Sequence, residues 1–217
     1  MSDSQHSKPS IPHHFTVYCS GSIAKSSDTE DKLCWGDAEK QAVQQGAKRL
    51  PIYFLDPAEP LGELSDTTAL FGRDMLQVRL ADAVVVDARQ RRGIGIGIEM
   101  LAAHLLDAHL VAVVPPDSHY RRKGLEFRGG HVRDYVHPHL ASLCDAVVDS
   151  FEEAGRWLAE RARHAPQQTD REVIESAISA YRERLLASDS SMRALLSELL
   201  DLEEAIPPPS SKASPSN

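Results

Sequence analysis

The sequence predicts an α/β fold, a three-layer flavodoxin-like or Rossmann-like domain on a five-stranded parallel sheet, followed by a C-terminal helical extension. Three observations carry this expectation. Short apolar runs such as Ala83-Val84-Val85-Val86-Asp87 alternate with segments of helical periodicity, the pattern of repeated βαβ units. The runs are apolar at successive positions, as in strands covered on both faces. A glycine-rich junction, Gly93-Ile94-Gly95-Ile96-Gly97-Ile98-Glu99, joins one such run to the next helix. Ligands of open α/β sheets bind at the carboxyl ends of the strands, where this junction falls.

Taken in order, residues 1–14 are polar, rich in Ser, His and Pro, and read as disordered. The main α/β domain is expected over 15–165. Phe15 to Cys19 reads as its first strand, ending in the small-residue loop Ser20-Gly21-Ser22, and residues 25–33 as a charged loop. Trp35 to Lys48 reads as a helix and Leu50 to Leu55 as the second strand. Pro57, Pro60 and Gly62 mark a loop. Thr67 to Ala81 is the next helix, Ala83 to Asp87 the third strand, and Ile96 to Ala108 a further helix. Leu110 to Val114 is the fourth strand, halted by Pro115-Pro116; the stretch from Pro115 to His139 reads as a long loop. Cys144 to Val148 is the fifth strand and Phe151 to Arg163 the closing helix. Residues 169–206 carry Val173, Ile174, Ala177, Ile178, Tyr181 and Leu185 at helical spacing. Ser188-Asp189-Ser190-Ser191 interrupts them and caps a second helix, whose stripe runs from Met192 to Leu202. Residues 207–217 are a low-complexity tail.

With 217 residues, 41% hydrophobic and 26% charged, the chain has room for one ordinary domain and an extension. A formal net charge of −8 argues against binding nucleic-acid polymers. No apolar run approaches the roughly 20 residues that span a bilayer, and the polar N-terminus lacks a secretory core. Cys19, Cys34 and Cys144 are odd in number and widely spaced, without a CxxC. These features point to a reduced, cytoplasmic protein that needs no cofactor, no metal and no membrane. His137 and His139 flank Pro138, but no acidic or cysteine partner lies nearby in sequence to complete a metal site.

Two carboxylates stand out. Glu99 follows the glycine junction and is expected in the first turn of its helix, where the helix dipole favours the ionised form. Asp74 has Leu70 and Val78 at i−4 and i+4, so it lies on an apolar stripe. A charged group facing that way calls for a partner or a task. Two carboxylates converging near one strand end suit nucleophilic or acid–base chemistry at a sugar carbon.

These residues also carry a resemblance. Tyr18-Cys19-Ser20-Gly21-Ser22-Ile23 resembles the first-strand loop of the 2'-deoxynucleoside 5'-monophosphate N-hydrolases, an aromatic residue followed by Gly-Ser-Ile. The stretch from Asp74 to Asp82-Ala83-Val84-Val85-Val86 resembles their Asp-containing helix and third strand, and Gly95-Ile96-Gly97-Ile98-Glu99 resembles their Gly-x-Gly-x-Glu loop. The wider group is the nucleoside 2-deoxyribosyltransferase-like superfamily, and the resemblance covers about residues 15–115. It implies cleavage of an N-glycosidic bond, by water or by transfer to a second base. Glu99 would act at the anomeric carbon and Asp74 would hold the sugar and support proton transfer. Tyr18 would line the site, with Gly21, Ser22 and Ile23 near the 5' end. It also implies a homodimer or higher homo-oligomer, with sites at the subunit interface, and a nucleoside or nucleoside monophosphate as partner.

The chain departs from that pattern at two places. Gly93 stands where the phosphate-binding hydrolases have a serine, and Leu101 where they usually have a glycine. Arg89, Arg91 and Arg92 precede the loop, and arginine suits bidentate phosphate contacts; Arg91 and Arg92 are the candidates for that role. Asp87 at the end of the third strand, the glycines Gly93, Gly95 and Gly97, and Ser118 in the segment where the family places a phosphate-contacting serine complete the expected substrate-binding set. Asp82 is read as an anchor of the third strand. A non-catalytic nucleotide sensor with the C-terminal helices as output is the alternative. A dinucleotide-binding oxidoreductase is excluded, because the glycine run follows the third strand and does not open the first βαβ unit.

Overall fold

The computed structural model describes residues 14–25, 27, 32–60, 65–164 and 173–195. The expected tails, residues 1–13 and 207–217, and the stripe beyond residue 195 lie outside the described residues. The chain forms two compact units, 1–169 and 170–217.

The first unit is an α/β domain. Its elements are β1 (Phe15–Ser20), α1 (Asp37–Ala47), β2 (Ile52–Leu55), α2 (Thr67–Leu80), β3 (Ala83–Asp87), α3 (Ile94–Leu105), β4 (His109–Val113), β5 (Arg121–Phe127), β6 (Gly130–Val136), α4 (Pro138–Leu143), β7 (Ala146–Val148) and α5 (Phe151–Arg161). A five-stranded, all-parallel sheet runs in the order β2-β1-β3-β4-β7. This is the flavodoxin-like order, in which the chain reverses its direction of winding between β1 and β3.

The central strands β3 and β4 are buried at every residue, which is why they read as unbroken apolar runs. Side chains alternate between two cores. Tyr18, Val84, Val86, Leu110 and Ala112 face Val78 of α2, Met100 and Ala103 of α3, and Leu140 of α4. Val17, Cys19, Val85, Val111 and Val113 face Val43 of α1 and Phe151, Ala154 and Leu158 of α5. Helices α1 and α5 cross through glycine: a Cβ at Gly46 would lie 1.9 Å from the Glu152 carbonyl oxygen, and one at Gly155 would lie 2.0 Å from that of Val43. Asp82 anchors β3 to β1 by accepting from the Thr16 backbone N–H at 2.9 Å and its hydroxyl at 2.8 Å.

Two expectations are corrected here. The segment after β4 is not a long loop but a two-stranded antiparallel hairpin, β5–β6. Its turn residues, Arg128 (φ 50°) and Gly129 (φ 78°), both have positive φ, as the two-residue turns that match strand twist require. The glycine junction is not an extended loop either. Gly93 is the N-cap, and Gly95 and Gly97 already lie within α3. Each glycine costs helix stability, but burial of Ile96, Met100 and Ala103 at i, i+4 and i+7 docks the segment as a helix.

In the second unit, α6 (Val173–Arg184) is followed by a short 3-10 turn, Leu186–Ser188. The helical path resumes at residue 190. Asp189 caps it by accepting from the Met192 backbone N–H at 3.0 Å, at the interruption that the sequence marks.

Candidate active site

The site is built from the carboxyl ends of β1 and β3 and from the helices that follow. Strand geometry places Tyr18 and Ser20 on the same face of β1, because successive side chains alternate. Both are fully buried, and both face α3. The Tyr18 hydroxyl donates to Glu99 Oε1 at 3.1 Å, and the Ser20 hydroxyl donates to Glu99 Oε2 at 2.5 Å. Each carboxylate oxygen of Glu99 therefore takes one hydrogen bond from β1.

Glu99 is the sixth residue of α3. The expectation of a first-turn carboxylate held ionised by the helix dipole is thus corrected, since that effect falls off beyond the first turn. Burial pushes the Glu99 carboxyl above its ordinary range; the Ser20 and Tyr18 bonds pull it back, and the charge of Asp74 adds to the rise. Burial likewise drives the Tyr18 phenol upward, helped by the negative Glu99 and Asp74, so the phenol stays protonated as a donor. Above Glu99, Gly95 leaves room: a Cβ there would lie 3.9 Å from Glu99 Oε1, and one at Gly97 would meet nothing within 4 Å.

Asp74 reaches the same region from α2. It is half-buried, and burial raises its carboxyl while the neighbouring Arg73 lowers it. It lines a 650 Å³ cleft together with Ile23, Lys25, Pro57, Glu59, Leu70 and Arg73. Arg73 braces that cleft by donating to the carbonyl oxygens of Pro57 and Glu59 at 3.0 and 3.3 Å.

The remaining candidates fall into separate groups. Asp87 is fully buried and paired with two arginines, Arg89 at 2.9 Å and Arg92 at 2.6 Å. The Arg92 side chain is 2% exposed and also donates to the Leu33 carbonyl at 2.7 Å and to Ser22 Oγ at 3.1 Å. Arg92 and Asp87 thus act as an internal clasp that joins the β1 loop to the β3 loop. Arg91 is exposed and Gly93 is exposed at the N-cap. Gly21 lies beneath Trp35, whose Cδ1 would be 2.6 Å from a Cβ there, and the Trp35 indole donates to the Ser20 carbonyl at 2.9 Å. Ser118 stands in the turn before β5, where its carbonyl accepts from Arg122 at 3.3 Å; its hydroxyl is buried without a partner among the described residues.

Sequence reasoning therefore brings Tyr18, Asp74 and Glu99 together but misses Ser20 as a partner of Glu99. The signal was present in the two-residue spacing from Tyr18. It also misses Tyr120, whose phenol oxygen accepts from the Arg92 backbone N–H at 2.8 Å and ties the hairpin base to the loop before α3.

No helix among the described residues is long and apolar enough to cross a membrane. No family model matches the chain, and no curated protein matches it. Among solved structures the chain is similar to a 2-desoxiribosyltransferase from Leishmania mexicana, with 21% identity and a TM-score of 0.47, over 67% of this chain and 97% of that one.

Proposed function

We propose that this protein cleaves the N-glycosidic bond of a nucleoside or nucleoside 5'-monophosphate, with Glu99 as the catalytic carboxylate. The observation that carries the reading is a carboxylate with one hydroxyl donor on each oxygen, next to a second carboxylate that opens onto a cleft. Glycosidic cleavage develops positive charge at the anomeric carbon, and an anionic oxygen held in place stabilises that charge more in the transition state than in the ground state. As the bond to the base breaks, its electron pair leaves with the base, and a Glu99 oxygen bonds to or shields the anomeric carbon. Asp74, whose carboxyl is raised by burial, holds the sugar and supports proton transfer. Water or a second base then takes the sugar, and the choice decides between hydrolysis and transfer.

For the 5' group, Ser22 and the exposed Arg91 are the available contacts, because Arg92 is engaged with Asp87, Leu33 and Ser22. We favour the monophosphate, since the Gly21-Ser22-Ile23 loop is retained. A homodimer or higher oligomer and a cytoplasmic location belong to the same reading.

The test is chromatographic. The protein is incubated with each nucleoside and nucleoside monophosphate, with and without a second free base. Free base alone marks a hydrolase, and a new nucleoside marks a transferase. Glu99→Gln should lower turnover by at least about a hundredfold, the scale of a positioned catalytic group, with the circular dichroism spectrum unchanged. Near-normal base release by folded Glu99→Gln would sink the assignment. Nucleotide binding without base release would favour the sensor.

A further inference from the structure

Glu99 has two hydroxyl donors, and they are not equivalent. The Tyr18 bond is the longer, at 3.1 Å; the Ser20 bond is 2.5 Å, within the short range of hydroxyl-to-carboxylate bonds. Ser20 is also the more tightly held. It is the last residue of β1, paired in register with Val86 of β3, and fully buried. Its carbonyl is fixed from the other side by the Trp35 indole at 2.9 Å. Trp35 is itself packed edge-on against Phe151 at 4.7 Å between ring centroids. A rigid chain therefore runs from the α5 face of the sheet, through the Ser20 backbone, to one oxygen of Glu99.

We infer that Ser20 is the positioning residue of this site: it fixes the Glu99 carboxylate in one orientation and holds it in its ionised form. The inference rests on the reading of Glu99 as the reacting carboxylate. Its chemistry follows from donor counting. A carboxylate that receives a hydroxyl on each oxygen is satisfied when ionised. Once protonated it must itself donate, and one hydroxyl loses its acceptor. The hydroxyls therefore oppose the cost of burying the charge. The titratable groups that face Glu99 are Tyr18 from β1 and Asp74 from α2. Asp74 repels the ionised form and the protonated phenol supports it, so the Ser20 hydroxyl acts against Asp74 as well as against burial.

The experiment compares the unmodified chain with Ser20→Ala and Ser20→Cys. The Glu99 carboxyl is titrated by carbon-13 NMR and identified by its loss in Glu99→Gln. Hydrogen bonds to charged groups are strong enough that removing this one should raise the Glu99 midpoint by about one to two pH units. The cysteine, a weaker donor in the same space, should give a smaller rise in the same direction. The acidic limb of the kcat profile should move up by the same amount, and the plateau should fall as the carboxylate loses its fixed orientation. An unchanged Glu99 midpoint in either folded variant would overturn the inference, as would equal midpoints for cysteine and serine. If Ser20→Ala fails to fold, Ser20→Cys alone decides. The NMR arm needs no turnover: if no nucleoside is cleaved, the proposed function fails while the role of Ser20 is still decided.

Discussion

Asp74 and Glu99 differ in what holds them. Glu99 is satisfied by two hydroxyls from β1, whereas Asp74 faces a cleft with only the charge of Arg73 to lower its carboxyl. Because the folded value of Asp74 lies above its unfolded one, the folded state binds the proton more tightly. Stability is then fullest below the ordinary Asp range and declines as pH rises through the folded value. Asp74→Asn should therefore match the parent in Tm near about pH 3 and exceed it near about pH 7, while kcat falls. Thermal scans across that range check the first part. A variant that loses stability at neutral pH and keeps its specific activity would make Asp74 structural. At this scale the sequence marks Asp74 and Glu99 through helix periodicity and the glycine junction, and Tyr18 only through the resemblance of its loop to the N-hydrolases. It does not mark the clasp of Asp87 with Arg89 and Arg92, which depends on how two loops meet.

Among the elements, the α1–α5 crossing is the least forgiving. A methyl at Gly155 would press on the Val43 carbonyl at 2.0 Å, and backbone cannot move aside as a flexible side chain can. Gly155→Ala should cost about 1–3 kcal/mol, lowering Tm by several degrees in a chain of this length. Activity per folded molecule should be unchanged, since the candidate site lies on the other face of the sheet; a differential scan paired with an activity assay measures both. The five strands of the main sheet were legible as short apolar runs between helical segments, rich in Val and Ala in β3, β4 and β7 and in larger side chains in β1 and β2. The β5–β6 hairpin was not. Its strands carry Arg121, Arg122, Lys123, Arg133 and Asp134, so no apolar alternation announces it. Its turn begins with Arg128, where Asn or Asp would be the usual signal. Helix α3 was found but begun late, because glycine reads as loop until the packing of Ile96, Met100 and Ala103 is known.

In the fold of the first unit, the winding reversal between β1 and β3 puts Tyr18, Ser20 and the β3–α3 junction at the carboxyl ends of two adjacent inner strands, the usual binding crevice of such sheets. Helices α2 and α3, which supply both carboxylates, also expose Phe71 (53%), Leu76 (55%), Ile94 (87%) and Ile98 (44%). Apolar surface of this kind next to a site is suited to a protein partner, and we expect a second copy of this chain. Light scattering at micromolar concentration should give at least twice the 23.9 kDa of one chain. An active species of single-chain mass would contradict the expectation. The order of the sheet was legible only as a class, since strand neighbours follow from crossovers that periodicity does not encode.

The chain has two tryptophans, and the fold sends them to opposite ends of the sheet. Trp35 touches the last residue of β1, whereas Trp157 meets His109, the first residue of β4, edge-on at 5.8 Å between ring centroids. The protein thus carries two built-in lamps, one beside the candidate site and one beside an imidazole. Exciting Trp35 in a Trp157→Phe background gives an optical signal for occupancy of the crevice. Trp157, kept in the unmodified chain, reports from the far end of the sheet beside His109.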